Sequence, residues 1–416
     1  MTETPQQSHP VRVSRRVSDL GLAGAGALVG LAVGSAVGIP WELGEPPADD
    51  DVVEPRGNGV LLPGEWGADV HLAILVAEVV AEVDVSTEPG RHLLAQRILT
   101  WYDSEPAHVP LSIQRVCEVA RNPGALGEQW RSRLAGVGCG AQVMVNAATA
   151  METAAEVIAL TTPPRLRHHD SSTLAMMVPV ALAGVEDRDR RHRGATAVST
   201  LVTADPVATA CHQFYAHLVA RALTGSGDYR DREGDTWFDP TTVAHAFDDT
   251  VTDRVGDGGD EWVAHALSAL LPDSTGTSTG LGFARTRTGG GAGLDPLSAL
   301  ARIFRAIDAA TTLTQGAQGA QGAQGAARTV AGSPVRRVID AAVRGGGDTD
   351  TVACLAGALA GAACGLAHIP DDWARRTWGW PGMRVDGMRD LGVACVYRGL
   401  DATGAITASP ADRSDQ

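Results

Sequence analysis

Asp348 and Asp350 stand two residues apart in the run Gly-Gly-Gly-Asp-Thr-Asp-Thr that ends at Thr351, with an alanine-rich stretch behind it. Two carboxylates at i and i+2, held by a glycine loop at a helix start and followed by a hydroxyl, suit a hard cation such as Mg2+ or Mn2+. A plainer use is also open: one aspartate can cap the helix through its side chain. Capping accounts for one of the two carboxylates and leaves the other without a task. A third carboxylate, Glu42, ends the segment Gly-Ile-Pro-Trp-Glu, in which Pro40 stops the preceding helix.

Two helices would have to bring these groups together. Gly26, Gly30, Gly34 and Gly38 recur every four residues before Glu42, and Gly357, Gly361 and Gly365 do so after Asp350. Glycine inside a helix costs ~1 kcal/mol relative to alanine, so a regular row of it signals close approach of another backbone. If the two helices pack antiparallel, Glu42 and the aspartates meet at one end despite the long stretch of chain between them.

The remaining pattern is helical almost throughout. Leu297, Leu300, Ile303, Phe304 and Ile307 recur at helical spacing, with Arg302 and Arg305 expected on the opposite face. His71 to Val83 and Ser171 to Gly184 read as buried helices, and alternating β-branched stretches are scarce. An all-α fold follows. Residues 1–16 and 404–416 read as disordered segments flanking one domain over 17–403, and the repeat of Gln-Gly-Ala within 314–328 reads as a flexible insertion. The acidic loop from Glu45 to Pro55 reads as a solvated loop in preference to a chelating one.

Composition excludes several classes. The net charge is −15, every basic residue is Arg, and no basic stripe is present, which argues against a nucleic-acid partner. The six scattered cysteines lack metal-binding spacing and read as reduced thiols of a cytoplasmic protein. The uncharged run from Leu20 to Trp41 follows two arginines, but it is mostly Gly and Ala, so a core helix is expected there and neither an export signal nor a membrane span.

With these residues in view, the sequence resembles the ADP-ribosylglycohydrolases, the family of dinitrogenase-reductase-activating glycohydrolase and of the ADP-ribosylarginine and ADP-ribosylserine hydrolases. Gly346 to Gly365 matches the family's GGDTDT signature and small-residue helix, and Ile369 to Trp373 continues the match. Gly26 to Glu42 resembles its N-terminal signature, and Gly280 to Phe283 its glycine-aromatic turn. The resemblance runs from about Val17 to Arg398 and implies one all-α domain with a cleft for ADP-ribose and two Mg2+ or Mn2+ ions.

By that resemblance Asp69, Asp348, Asp350 and Thr351 are metal ligands, Glu42 and Asp69 are catalytic, and Gly346, Gly347, His168 and Phe283 bind substrate. Departures from the pattern matter as much. Where the family has Thr-Asp-Asp-Thr, this chain has Gly67, Ala68, Asp69 and Val70; the aspartate of the N-terminal signature is Ser35, and Cys139 and Met144 replace an Asn and an Arg. Four of six ligand positions remain, so the resemblance implies one weakly held ion. The expected ligand is ADP-ribose or an ADP-ribosylated substrate, with removal of ADP-ribose weak or lost. A divergent active hydrolase and a structural role like that of the family's crystallin relatives are the alternatives.

Overall fold

The structure, a computed structural model, describes residues 17–122, 146–162, 170–224, 294–319 and 333–403. Its first helix, α1 (Val17–Gly38), is apolar on every side and buried from Leu20 to Gly38 apart from Leu22. Such a helix belongs at the centre of a fold. By length and composition it could cross a membrane, but its residues are covered by other helices of the same chain.

Helix α1 runs antiparallel to α11 (Thr349–Cys364), and these two share the most extensive packing among the described elements. The glycine rows make the contact. A Cβ on Gly26, Gly30, Gly34 or Gly38 would lie closer than 3.0 Å to backbone atoms of Gly361, Gly357, Ala353 or Thr349 respectively. A second crossing uses the same device: Gly24 of α1 meets Gly392 of α13 (Val385–Ala402) backbone to backbone.

Around this pair lie α2 (Ala68–Glu82), α3 (Glu88–Asp103), α4 (Leu111–Arg121), α5 (Ala147–Thr161), α6 (Met177–Ala183), α7 (Arg188–Val202) and α8 (Pro206–Thr224). Among the described residues, helices α9 (Pro296–Gly319), α10 (Pro334–Arg344) and the short α12 (Asp371–Ala374) complete the set, with one two-stranded ribbon, β1 (Trp378–Gly379) against β2 (Met383–Arg384). The fold is all-α.

Three expectations change in detail. Ser171 to Gly184 is not one helix: Ser171–Met176 winds as a tight 3-10 turn before α6, because the Asp170 side chain captures the Ser172 N–H at 3.0 Å and sets a tighter start. Helix α9 continues to Gly319, so the first units of the Gln-Gly-Ala repeat extend a helix; residues 320–332 lie outside the described residues. The acidic loop is pinned, with Arg344 donating to the carbonyls of Ala48 and Asp51 and Arg376 pairing with Glu54 at 2.9 Å. Residues 1–16 and 404–416 lie outside the described residues, and the five described cysteines are free thiols.

Candidate functional site: a buried carboxylate cluster

The loop between α10 and α11 is built on backbone that only glycine adopts readily. Gly346 and Gly347 have φ of 67° and 75°. That turn lets the Gly347 carbonyl accept from the Leu43 N–H at 2.8 Å, while the Arg302 guanidinium donates to the Gly346 carbonyl. A side chain on Gly347 would collide with that guanidinium. Arg302 lies off the apolar face, as the helical pattern suggested, and is partly buried there because it clamps the loop.

Asp348 occupies the cap position of α11, yet its side chain makes no capping bond. Its Oδ2 accepts instead from the Ser171 hydroxyl at 2.6 Å, across 177 residues of sequence. The Thr349 hydroxyl, next along, donates to the Gly38 carbonyl at 2.9 Å and ties the start of α11 to the end of α1. Capping is thus not what these aspartates do.

Four aspartates and one glutamate share this end of the helix pair. Asp69 enters from the first turn of α2, Asp170 from the start of the 3-10 turn, Asp348 and Asp350 from α11, and Glu42 from the segment after α1. Burial pushes the Asp69 carboxyl up to about 8, and the charge of Asp348 adds to it; hydrogen bonds from Thr351 and Ser172 pull it partly back. Asp350 is raised well above the usual range by burial, then by Asp348, Asp69 and Glu42. Burial also raises Asp170 and Glu42, and the nearby His108 partly offsets it at Glu42.

Asp69 Oδ2 and Asp350 Oδ1 are buried without a hydrogen-bond partner. An orphaned buried carboxylate oxygen is costly and calls for a proton or a cation. The donor set of carboxylates and hydroxyls fits a hard divalent ion. Among the described residues, however, no three His, Cys, Asp or Glu side chains converge into a ready-made metal cage. The chemistry fits an ion; the enclosure that the described residues supply is incomplete.

The gap lies beside Gly67. Its N–H donates to the Ser35 hydroxyl at 3.0 Å, and a Cβ built on it would sit 3.5 Å from Ser35 Oγ and 3.6 Å from Asp350 Oδ2. A hydroxyl-bearing residue there would reach the cluster, and glycine brings none. Ala68 and Val70 are buried and equally without oxygen.

The sequence profile of the ADP-ribosylglycohydrolase family matches residues 23–394, from the glycine row of α1 to the middle of α13. The chain belongs to the ADP-ribosylglycohydrolase family. A solved structure described as an ADP-ribosylglycohydrolase-related protein complex has the same fold, with a TM-score of 0.55 and 19% sequence identity over 92% of this chain and 99% of that one. At that identity the likeness speaks for the fold alone. No curated protein sequence matches the chain.

Of the residues assigned from resemblance to this family, Glu42, Asp69, Gly346, Gly347, Asp348, Asp350 and Thr351 come together in the structure. His168, Phe283, Cys139 and Met144 lie outside the described residues. Sequence reasoning missed Ser171, Ser172 and His108. Two hydroxyls directly after Asp170 were a signal available in the chain. The His71 ring is a further surprise: it is buried against Trp101 and Trp380, both nitrogens lack partners, and burial pushes its pKa down to about 4.

These shifts set a pH dependence of stability. Asp69 binds its proton up to about pH 8 in the folded chain but only to about 3.8 when unfolded, so its contribution is complete at low pH and lost as pH rises towards 8. Asp350, Asp170 and Glu42 act in the same direction. His71 has the opposite effect below about 6.5, where the unfolded chain takes up a proton that the folded one refuses. Metal-free protein should therefore melt at a higher temperature at pH 6.5 than at pH 8, and added Mn2+ should narrow the difference. Thermal melts in chelator and in Mn2+ at both pH values check this; a melting temperature that rises from pH 6.5 to 8 in chelator would contradict it.

Proposed function

We propose that the protein binds ADP-ribose, free or attached to a substrate, at the carboxylate cluster with one weakly held Mg2+ or Mn2+, and that its removal of ADP-ribose is weak or lost. The observation that carries this reading is a cluster in which Asp69 Oδ2 and Asp350 Oδ1 are buried without partners while Gly67, whose Cβ would stand 3.6 Å from Asp350 Oδ2, brings no oxygen to it. Asp69, Asp348, Asp350 and Thr351 would hold the ion, which when bound supplies positive charge to orient sugar hydroxyls and to acidify water. Ser171 keeps the Asp348 carboxylate oriented, as partners of metal ligands do elsewhere. Family membership supports ADP-ribosylated molecules as the ligand class.

One observation favours a second reading, a divergent but active hydrolase. Glu42 is raised by burial and stands within electrostatic reach of both His108 and Asp348. A carboxyl group whose pKa is raised holds its proton more readily and is better suited to protonating a leaving group. Titration of ADP-ribose into the full chain with and without Mn2+, beside an assay for ADP-ribose release from ADP-ribosylated arginine and serine peptides, separates the two. Metal-dependent binding with negligible release is the expected result. Release that is abolished in Glu42→Gln would establish the second reading, and absence of any ADP-ribose binding would defeat both.

A further inference from the structure

His212, in the middle of α8, is completely buried, and it reaches towards the carboxylate cluster without belonging to it. Its Nε2 lies 2.9 Å from the Thr173 hydroxyl in the 3-10 turn, and its Nδ1 lies 2.8 Å from the Ser199 hydroxyl on α7. The Thr173 oxygen also stands 2.8 Å from the Asp170 carbonyl, which can only accept. Thr173 spends its one proton there, so the imidazole donates to it from Nε2. In the neutral ring Nδ1 accepts from Ser199, and the Thr209 hydroxyl backs Ser199 at 3.0 Å.

What the ring holds from behind carries the hydroxyls of the cluster in front. Ser171 donates to Asp348 Oδ2 at 2.6 Å, Ser172 hydrogen-bonds with the Asp69 carboxyl, and Asp170 opens the turn. A 3-10 turn is held by poorer backbone bonds than an α-helix, so its direction depends on what grips it from outside. Asp170 closes on the Ser172 N–H at 3.0 Å, and the Leu294 carbonyl accepts the Ser171 N–H at 2.8 Å. His212 supplies a further grip, which ties Thr173 to the α7 and α8 pair.

Packing alone does not call for this residue. A hydrogen bond adds only ~1 kcal/mol net, and apolar groups of the same shape can replace both partners at little cost. What the imidazole adds is direction, since two fixed ring nitrogens set the line from Ser199 to Thr173.

We infer that His212 is a positioning residue for the candidate site. Through Thr173 it sets the turn that aims Ser171 at Asp348 and Ser172 at Asp69, and so the direction in which both carboxylates face a cation. The inference rests on the proposed ion at the cluster and is independent of the identity of the sugar ligand.

Mn2+ titrations and melts of the full chain test it, together with amide hydrogen exchange followed peptide by peptide in chelator. His212→Leu and Thr173→Val should each weaken Mn2+ binding roughly fivefold, short of the ~10–100-fold that losing a direct partner of a metal ligand costs. The double variant should be no weaker than either single one, because both cut the same link. His212→Gln keeps an N–H donor for Thr173 and should recover most of the affinity, while Ser199→Ala should show a smaller loss. In chelator, His212→Leu and Thr173→Val should speed exchange in Ser171–Met176 while α1 and α11 keep wild-type protection. If His212→Leu does not fold, Thr173→Val and Ser199→Ala decide the matter. Wild-type Mn2+ affinity in folded His212→Leu or in Thr173→Val overturns the inference and leaves the proposed function standing, and so does a loss in His212→Gln as deep as in His212→Leu. If wild type binds no Mn2+, the proposed function fails; faster exchange confined to the turn then still upholds His212 as the residue that positions it, and unchanged exchange overturns that too.

Discussion

Gly34→Leu is expected to destabilise the protein by about 3 kcal/mol or more, near the upper end of what overpacking usually costs. The reason is what the new side chain would meet. At Gly34 a Cβ falls within 3.0 Å of the Ala353 carbonyl and the Cys354 Cα, and at Gly361 it meets the Gly26 carbonyl. These are backbone atoms in the middle of helices, which cannot swing aside as a side chain can. To admit even the first carbon, α1 and α11 must separate, and every contact along both would loosen. Gly361→Leu should act similarly, and each should lower the melting temperature by roughly 5 °C or more. Gly44→Ala is the control: its Cβ would find only the Trp41 and Glu42 carbonyls, at 3.7 and 3.9 Å, and Gly44 is exposed. It should change stability by no more than about 0.5 kcal/mol. Melting curves of Gly34→Leu and Gly361→Leu that coincide with wild type would show that the glycine rows bear no weight.

That prediction was legible before any coordinates because a four-residue period of glycine is a local signal: it lies on one face of one helix. From it follow the antiparallel pairing and the meeting of Glu42 with Asp348, which the structure has. What the sequence did not disclose depends on partners far along the chain. Ser171 reaches Asp348 across 177 residues, and although the two hydroxyls after Asp170 hint at a polar site, nothing local names Asp348 as the partner. Arg302 lies on the polar side of a well-formed helical pattern, and periodicity gives it no partner. Only the packing of α9 against the glycine loop shows that its guanidinium has a carbonyl to hold. The 3-10 turn at Ser171 was hidden for a similar reason. Its apolar residues suit a helix, while its winding is set by the Asp170 side chain closing on Ser172.

Restoring oxygen at the gap should produce the largest functional change available to this chain. Gly67→Thr fits the space, because its Cβ would make ordinary contacts with Ser35 Oγ and Asp350 Oδ2. Its hydroxyl would then bring an oxygen to the Asp350 carboxylate. Gly67 also starts α2 in extended backbone, where a threonine is a good cap, so the substitution should not harm the helix. Ala68→Asp adds the carboxylate missing from the first turn, where a negative charge is favoured by the helix dipole. Without a cation, however, it also enlarges a cluster in which Asp69 and Asp350 are already pushed towards the protonated form. The double variant should therefore be less stable than wild type in chelator and regain that stability in Mn2+, with Mn2+ affinity raised at least tenfold. Adding Ser35→Asp is the weakest of the three changes, since Ser35 already uses its hydroxyl to hold the Gly67 N–H. Asp350→Ala in the repaired background should abolish the gain, because that carboxylate stands nearest the new hydroxyl. Mn2+ titration with paired melts reads the affinity, and release of ADP-ribose from arginine and serine peptides reads the chemistry. A rise in both would mark a metalloenzyme that lost its ligands. Raised Mn2+ affinity without release would leave the cleft as a binding site, and a folded double variant with no gain in Mn2+ affinity would refute the placement of the ion beside Gly67.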